Sequence, residues 1–137
     1  MQVICLGDSI TDCNHLFEDF PLGNGYVQIL SEMFRNQTPS FSISGDTVGH
    51  SSSAVQLTDK STGAMHFRNC GIDGFTVTRV LENIRRHRIS LHRSPVITLL
   101  IGINDIGLIM NTDRTNSQKK QMMREFATHY NELLNLI

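Results

Sequence analysis

Four consecutive apolar residues, Val3-Ile4-Cys5-Leu6, are stopped by Gly7-Asp8-Ser9, and this abrupt change constrains the fold more than any other stretch. The run is too short for a helix and partly β-branched, so it reads as a strand buried on both faces, the usual condition in a parallel sheet. Gly7 lets the chain turn and lets backbone approach closely. In an open α/β sheet ligands bind beyond the carboxyl ends of the strands, which puts Asp8 and Ser9 at the rim of a site. Both residue types also favour turns and helix starts, so a purely capping role stays open on this stretch alone.

The same sequence of strand, glycine and polar residue recurs along the chain. Residues 11 to 24 have loop composition over a length that is usually functional inside a compact domain. Tyr26, Ile29, Leu30, Met33 and Phe34 then fall at helical spacing and predict a helix entered at Asn24-Gly25 and ended before Thr38-Pro39. Residues 40 to 63 are the least regular: Phe41 and Ile43 alternate with serines, Val55 and Leu57 alternate again, and glycines interrupt them. This stretch is expected to be an insertion, either a hairpin excursion or a loop over the site.

Met65, Phe67, Asn69 and Cys70 read as a second strand, followed by Gly71-Ile72-Asp73-Gly74 and a helix carrying Val77, Val80, Leu81 and Ile84. Arg85, Arg86 and Arg88 lie on its later turns, where a solvated helix end accounts for them better than a phosphate patch. Val96 to Ile101 is the most apolar run and the expected sheet centre, ending at Gly102-Ile103-Asn104-Asp105-Ile106-Gly107. From Thr115 or Ser117 a final helix aligns Met123, Phe126, Ala127, Tyr130, Leu133, Leu134 and Ile137 in an expected core stripe. The alternation β-α-β-α-β-α implies an α/β fold, with parallel strands joined by right-handed crossovers.

A chain of 137 residues with 39% hydrophobic content suits one domain over residues 1 to 137. Its formal charge of −1, from 12 basic and 13 acidic residues, supplies no long-range field to recruit nucleic acid or an anionic membrane. A small, uncharged substrate suits that balance better. No apolar run approaches the ~18 residues of a membrane span, and no basic-then-apolar leader opens the chain, so a soluble cytoplasmic protein is expected. Cys5, Cys13 and Cys70 are odd in number and lack metal-ligand spacing, so they read as reduced thiols, with no metal or cofactor expected.

Three strand ends thus deliver Ser9, the Gly71-to-Gly74 turn and Asn104. Acyl transfer needs a hydroxyl nucleophile and several preorganised donors about 3 Å from the developing oxyanion. Ser9 can offer the hydroxyl and its own N–H, Gly74 a second N–H, and Asn104 a side-chain amide.

Gly7-Asp8-Ser9, Asn69-Cys70-Gly71-Ile72-Asp73-Gly74 and Gly102-Ile103-Asn104-Asp105 resemble, in that order, the first three blocks of the SGNH, or GDSL, hydrolase family. The resemblance runs from Gln2 to Gly107. It implies a three-layer α/β/α flavodoxin-like sheet with the opening strand between the other two. It also implies an esterase or lipase-type hydrolase with Ser9 as nucleophile and an oxyanion hole of Ser9, Gly74 and Asn104. Gly-Asp-Ser-Ile-Thr-Asp followed by Gly25-Tyr26-Val27 is most similar to the branch acting on small acylated compounds, often acetylated sugars.

The family's last block, an Asp-x-x-His that supplies the general base, does not follow Asn104; the later candidates are Asp113 and His129 alone. Completing a five-stranded sheet takes two further βα units, on the order of 60 residues at roughly 30 each. The chain is therefore expected to be truncated to its first three βα units. Asp12-Cys13-Asn14-His15 has the right spacing but lies on the loop after Ser9, where the family carries no base. The competing reading is a binding module that holds an acyl group without turning it over. A truncated sheet would also leave an edge at Val96 to Ile101, or its neighbour, open to a partner strand or a second copy.

Overall fold

A computed structural model describes residues 1–17, 19–35, 41–45, 65–91 and 96–137. Four strands form one parallel sheet: β1 (Gln2–Gly7), β2 (Phe41–Gly45), β3 (Met65–Gly71) and β4 (Val96–Leu100), in the order β2-β3-β1-β4. The helices are α1 (Ser9–Asp12), α2 (Tyr26–Arg35), α3 (Val77–Arg85), α4 (Ile103–Asn111) and α5 (Asn116–Leu136). As expected, β1 lies between the strand before α3 and the strand after it. Register is level across these three, with Gly7 opposite Gly71 on one side and Leu100 on the other.

The apolar run of β1 is buried because its two-residue period feeds two separate cores. Ile4 and Leu6 join Cys70, Val77, Val80, Leu81, Ile84 and Leu133 beneath α3 and α5. Val3 and Cys5 join Leu22, Val27 and Phe67 beneath α2 on the opposite face. One short strand therefore holds three layers together.

Several expectations are corrected by the packing. Val96 to Ile101 is not the sheet centre: among the described strands β4 stands at one end of the order, with Val96 and Leu100 exposed. Its apolar side chains are only partly covered, with Ile97, Leu99 and Ile101 packed against the core beneath α3 and α5, so apolarity along a strand does not report how many strands flank it. Within the stretch read as an insertion, Phe41–Gly45 is a strand parallel to β3, with Ile43 opposite Phe67. The rest of that stretch, including Val55 and Leu57, lies outside the described residues.

The face of α2 is rotated from the one predicted. Val27 and Ser31 are buried, with Tyr26, Leu30 and Phe34 packed beside them, whereas Ile29 and Met33 are exposed. Ser31 tolerates burial because its hydroxyl donates to the Gln28 carbonyl at 2.8 Å. On α5 only Leu133 is buried; Phe126 and Tyr130 pack against the core, while Met123, Leu134 and Ile137 are exposed. Apolar packing of α5 against the core thus follows the 126-130-133 line. At its start Thr115 and Gln118 form a reciprocal capping box, which fixes the helix where the sequence placed it.

The three cysteines are free thiols, Cys5 and Cys70 buried and Cys13 partly exposed. Burial pushes the Cys70 thiol up to about 11 and raises that of Cys5 as well. Titration of the native chain with a thiol-exchange reagent near pH 8 is expected to modify Cys13 rapidly and the other two only after denaturant is added. Three equally fast thiols would contradict the double-sided core.

Candidate active site

The level strand ends bring the turns after β1, β3 and β4 to one rim of the sheet. After Gly7 the chain enters α1 directly. Asp8 is buried and caps this helix, its carboxylate accepting from the Ile10 N–H at 3.1 Å. The capping role therefore belongs to Asp8, and Ser9 occupies the first helical position with its side chain exposed. Among the described residues nothing bonds its hydroxyl. A capping acid followed by an unengaged serine gives a hydroxyl whose backbone is fixed and whose oxygen is accessible.

Asn69 fixes α1 from below. Its fully buried amide donates to the carbonyls of Thr11 at 2.6 Å, Leu22 at 2.8 Å and Asp12 at 3.3 Å, and its oxygen accepts from the Gly71 N–H at 2.9 Å. The sequence pointed to Asn69 only as part of a block. The physical signal was an amide inside an otherwise apolar strand, which must find partners for both its donor and acceptor atoms. Close approach is possible because position 71 is glycine: a Cβ there would lie 2.3 Å from the Asp12 nitrogen.

A second tether was missed altogether. The Tyr26 hydroxyl lies 3.2 Å from the Thr11 hydroxyl and 3.5 Å from that of Thr98, linking α2 to α1 and β4. Burial raises the Tyr26 pKa, so the phenol stays neutral and can donate.

The turns after β3 and β4 are locked to each other. Gly74 has φ of +70°, a backbone conformation that glycine adopts without strain, and no atom lies within 4 Å of where its Cβ would be. Asn104 donates from its side-chain amide to the Phe75 carbonyl at 2.9 Å. A primary amide carries two N–H donors, so one of them suffices for this bond. The adjacent Asp105 accepts from the Val77 N–H at 3.1 and 3.3 Å, capping α3 from a distant part of the chain. Burial raises the Asp105 pKa against the opposing pull of that bond, and the neighbouring Asp8 charge raises it further. The sequence treated Gly102 to Gly107 as a polar strand end; it is the start of α4, whose signal was the spacing of Ile106, Ile109 and Met110.

Gly74 and Asn104 line one open groove of about 490 Å³, which continues along α4 from Ile103 to Thr112. Ser9 is not among its lining residues and stands at the neighbouring strand end. Asp12 and His15 do form a pair, with carboxylate oxygen and ring Nδ1 2.5 Å apart, but the imidazole has no exposed surface. That burial makes the pair a structural contact of the loop and keeps it from reaching a substrate at the surface. The one later histidine, His129, lies 3.3 Å through Nδ1 from the Thr78 hydroxyl. Among the described residues no group of three or more His, Cys, Asp or Glu could hold a metal ion, and no helix is long and apolar enough to cross a membrane.

Among solved structures, an acetyl xylan esterase from Geobacillus stearothermophilus matches 96% of this chain with a TM-score of 0.57 at 19% sequence identity. A Parabacteroides merdae protein described as GDSL-like matches 98% of it with a TM-score of 0.49, also at 19% identity. The chain spans 55% of the length of each. No family model and no curated protein sequence matches it. The likeness to the esterase shows that this chain shares its α/β fold.

Two substitutions test the site's framework. Asn69→Leu leaves buried carbonyls of Thr11 and Leu22 unpaired and is expected to cost about 2–4 kcal/mol, read from chemical denaturation. A loss below ~1 kcal/mol would mean that the amide does not hold the loop. Asp105 ionises at higher pH in the folded chain than in the unfolded one, so its contribution favours folding at acid pH and is lost as pH rises through the raised pKa. Asp105→Asn keeps an oxygen for Val77 and is expected to gain on the parent in thermal melts between pH 4 and pH 7. A variant that loses ground over that range would contradict the burial of this charge.

Proposed function

We propose that the chain carries the nucleophile and oxyanion-stabilising part of a serine esterase acting on carboxylic esters of small acylated compounds. The observation that supports it best is that an exposed serine on a capped turn stands on the same sheet rim as the turns carrying two candidate donors, Gly74 and Asn104. The fold shared with an acetyl xylan esterase supports the same reading.

In this reaction the Ser9 oxygen attacks the ester carbonyl carbon while its proton leaves to a base and then to the departing alkoxide. The Oγ–carbon bond forms, the carbon–alkoxide bond breaks, and the alcohol departs with the proton. Water repeats the attack on the acyl-serine, giving the carboxylic acid and restoring the hydroxyl. The carbonyl oxygen carries the developing charge in both steps. The N–H groups of Ser9 and Gly74 and the second amide N–H of Asn104 stabilise that charge, and preorganised donors of this kind are each worth roughly 3–4 kcal/mol in the transition state.

Burial of the His15 ring favours a second reading. In it the same rim binds an acyl group without cleaving it. Hydrolysis of p-nitrophenyl esters by the parent chain and by Ser9→Ala separates the two. The esterase reading expects a Ser9-dependent rate at least about tenfold above the variant, since an oxyanion hole and binding alone leave only residual catalysis. Equal rates would leave the binding reading standing.

A further inference from the structure

We propose that Tyr26 positions Ser9 for attack, acting through Thr11 from the far side of α1. This rests on the esterase reading and names a positioning residue for it. Helix α1 has four residues, about one turn, too short to hold its own shape, so its orientation is set by the groups that grip it. Asp8 and Asn69 grip its backbone, one at the N-cap and the other at the carbonyls of Thr11 and Asp12. Tyr26 grips a side chain. Ser9 and Thr11 lie two residues apart, ~200° around the helix axis, so they face opposite ways. Burial agrees, with Ser9 exposed and Thr11 buried. The Thr11 hydroxyl lies over Gly7, where a Cβ would collide with it, and 3.2 Å from the Tyr26 hydroxyl.

Tyr26 is itself braced on the sheet. Cys5 and Thr98 stand opposite each other where β1 pairs with β4, and Thr98 is the one polar residue between Val96 and Ile101. The Tyr26 hydroxyl lies 3.5 Å from that of Thr98, and the Cys5 thiol hydrogen-bonds both side chains. The phenol oxygen is therefore a joint between two strands and the serine helix. Gly25 lets α2 start against α1, because a Cβ there would run into the Cys13 side chain. The glycine admits the helix, and the tyrosine after it locks α1 in place.

A small rotation of α1 matters to the chemistry. A hydroxyl oxygen roughly 4 Å from the helix axis moves about 1 Å for a rotation of ~15°. Misplacement of about 1 Å costs on the order of 100-fold in rate. Tyr26→Phe keeps the ring against the core of Val3, Cys5 and Leu22 and removes only the oxygen that holds Thr11.

Two readouts on the full chain test this. The first is turnover of p-nitrophenyl acetate. Tyr26→Phe is expected to lower kcat about tenfold or more, with KM within about twofold of the parent's. Thr11→Val is expected to do the same, whereas Thr11→Ser, which keeps the hydroxyl, stays within about threefold of the parent. Tyr26→Phe combined with Thr11→Val is expected to fall no further than the slower single variant, because both cut one connection. The second readout needs no turnover: the backbone amide resonances of Ser9 and Ile10 are expected to shift in Tyr26→Phe, while those of Gly74 and Asn104 stay in place.

A tyrosine that serves the fold alone would lower the thermal midpoint in Tyr26→Phe and leave kcat unchanged well below that midpoint; this result would overturn the proposal. Equal losses in Thr11→Ser and Thr11→Val, or unmoved Ser9 and Ile10 resonances, would overturn it too. Shifted Ser9 and Ile10 resonances in a chain without Ser9-dependent hydrolysis would instead uphold the positioning and sink the esterase reading. Ser9-dependent hydrolysis that Tyr26→Phe leaves untouched would do the opposite.

Discussion

A single buried amide carries the organisation of the rim. Asn69 sits within β3 yet spends its donors on carbonyls of α1 and of the loop at Leu22, and its acceptor on the strand's own continuation at Gly71. A hydrocarbon of the same size would leave those carbonyls without partners in a region that water does not reach, at a cost comparable to a sizeable share of a small domain's stability. Ser9 is therefore positioned from a strand sixty residues away in sequence, and its presentation depends on a side chain that never touches it.

The two halves of the candidate chemistry are supported differently. The serine side rests on Asp8, Asn69 and Tyr26, a set of polar contacts within and under a four-residue helix. The donor side rests on Asn104 and Asp105, which reach from the start of α4 to the Phe75 carbonyl and the Val77 N–H. Neither half leans on a metal-type cluster among the described residues. What they share is the level register of Gly7, Gly71 and Leu100, which makes the sheet a common ruler for both.

Legibility followed physical cause. Strand β1, the turn at Gly74, helix α3 and helix α5 were readable because short-range rules decide them: apolar runs, glycine punctuation and helical spacing. The outward turn of Ile29 and Met33 was not, since Ser31 is buried through a bond to its own helix that periodicity does not register. Misplacement of β4 at the sheet centre came from equating apolarity with flanking strands. Phe41–Gly45 escaped because serine alternation looks alike in an excursion and in a strand. For the site, Ser9, Gly74 and Asn104 stood out from motif order, while Asn69, Tyr26 and Asp105 act through contacts between distant segments, which no local pattern encodes.

The strand order has a consequence for how the molecule assembles. In space β3 separates β1 from β2, although it is the last of the three to be synthesised. Until Met65–Gly71 arrives, the first two strands have no backbone partner in each other, and the slot between them must stay open while helix α2 is already made. Pairing then closes on both sides of one late strand, a non-local step whose entropic cost precedes its reward. The same strand brings Asn69, so the serine turn acquires its fixed shape in the event that completes the centre of the sheet.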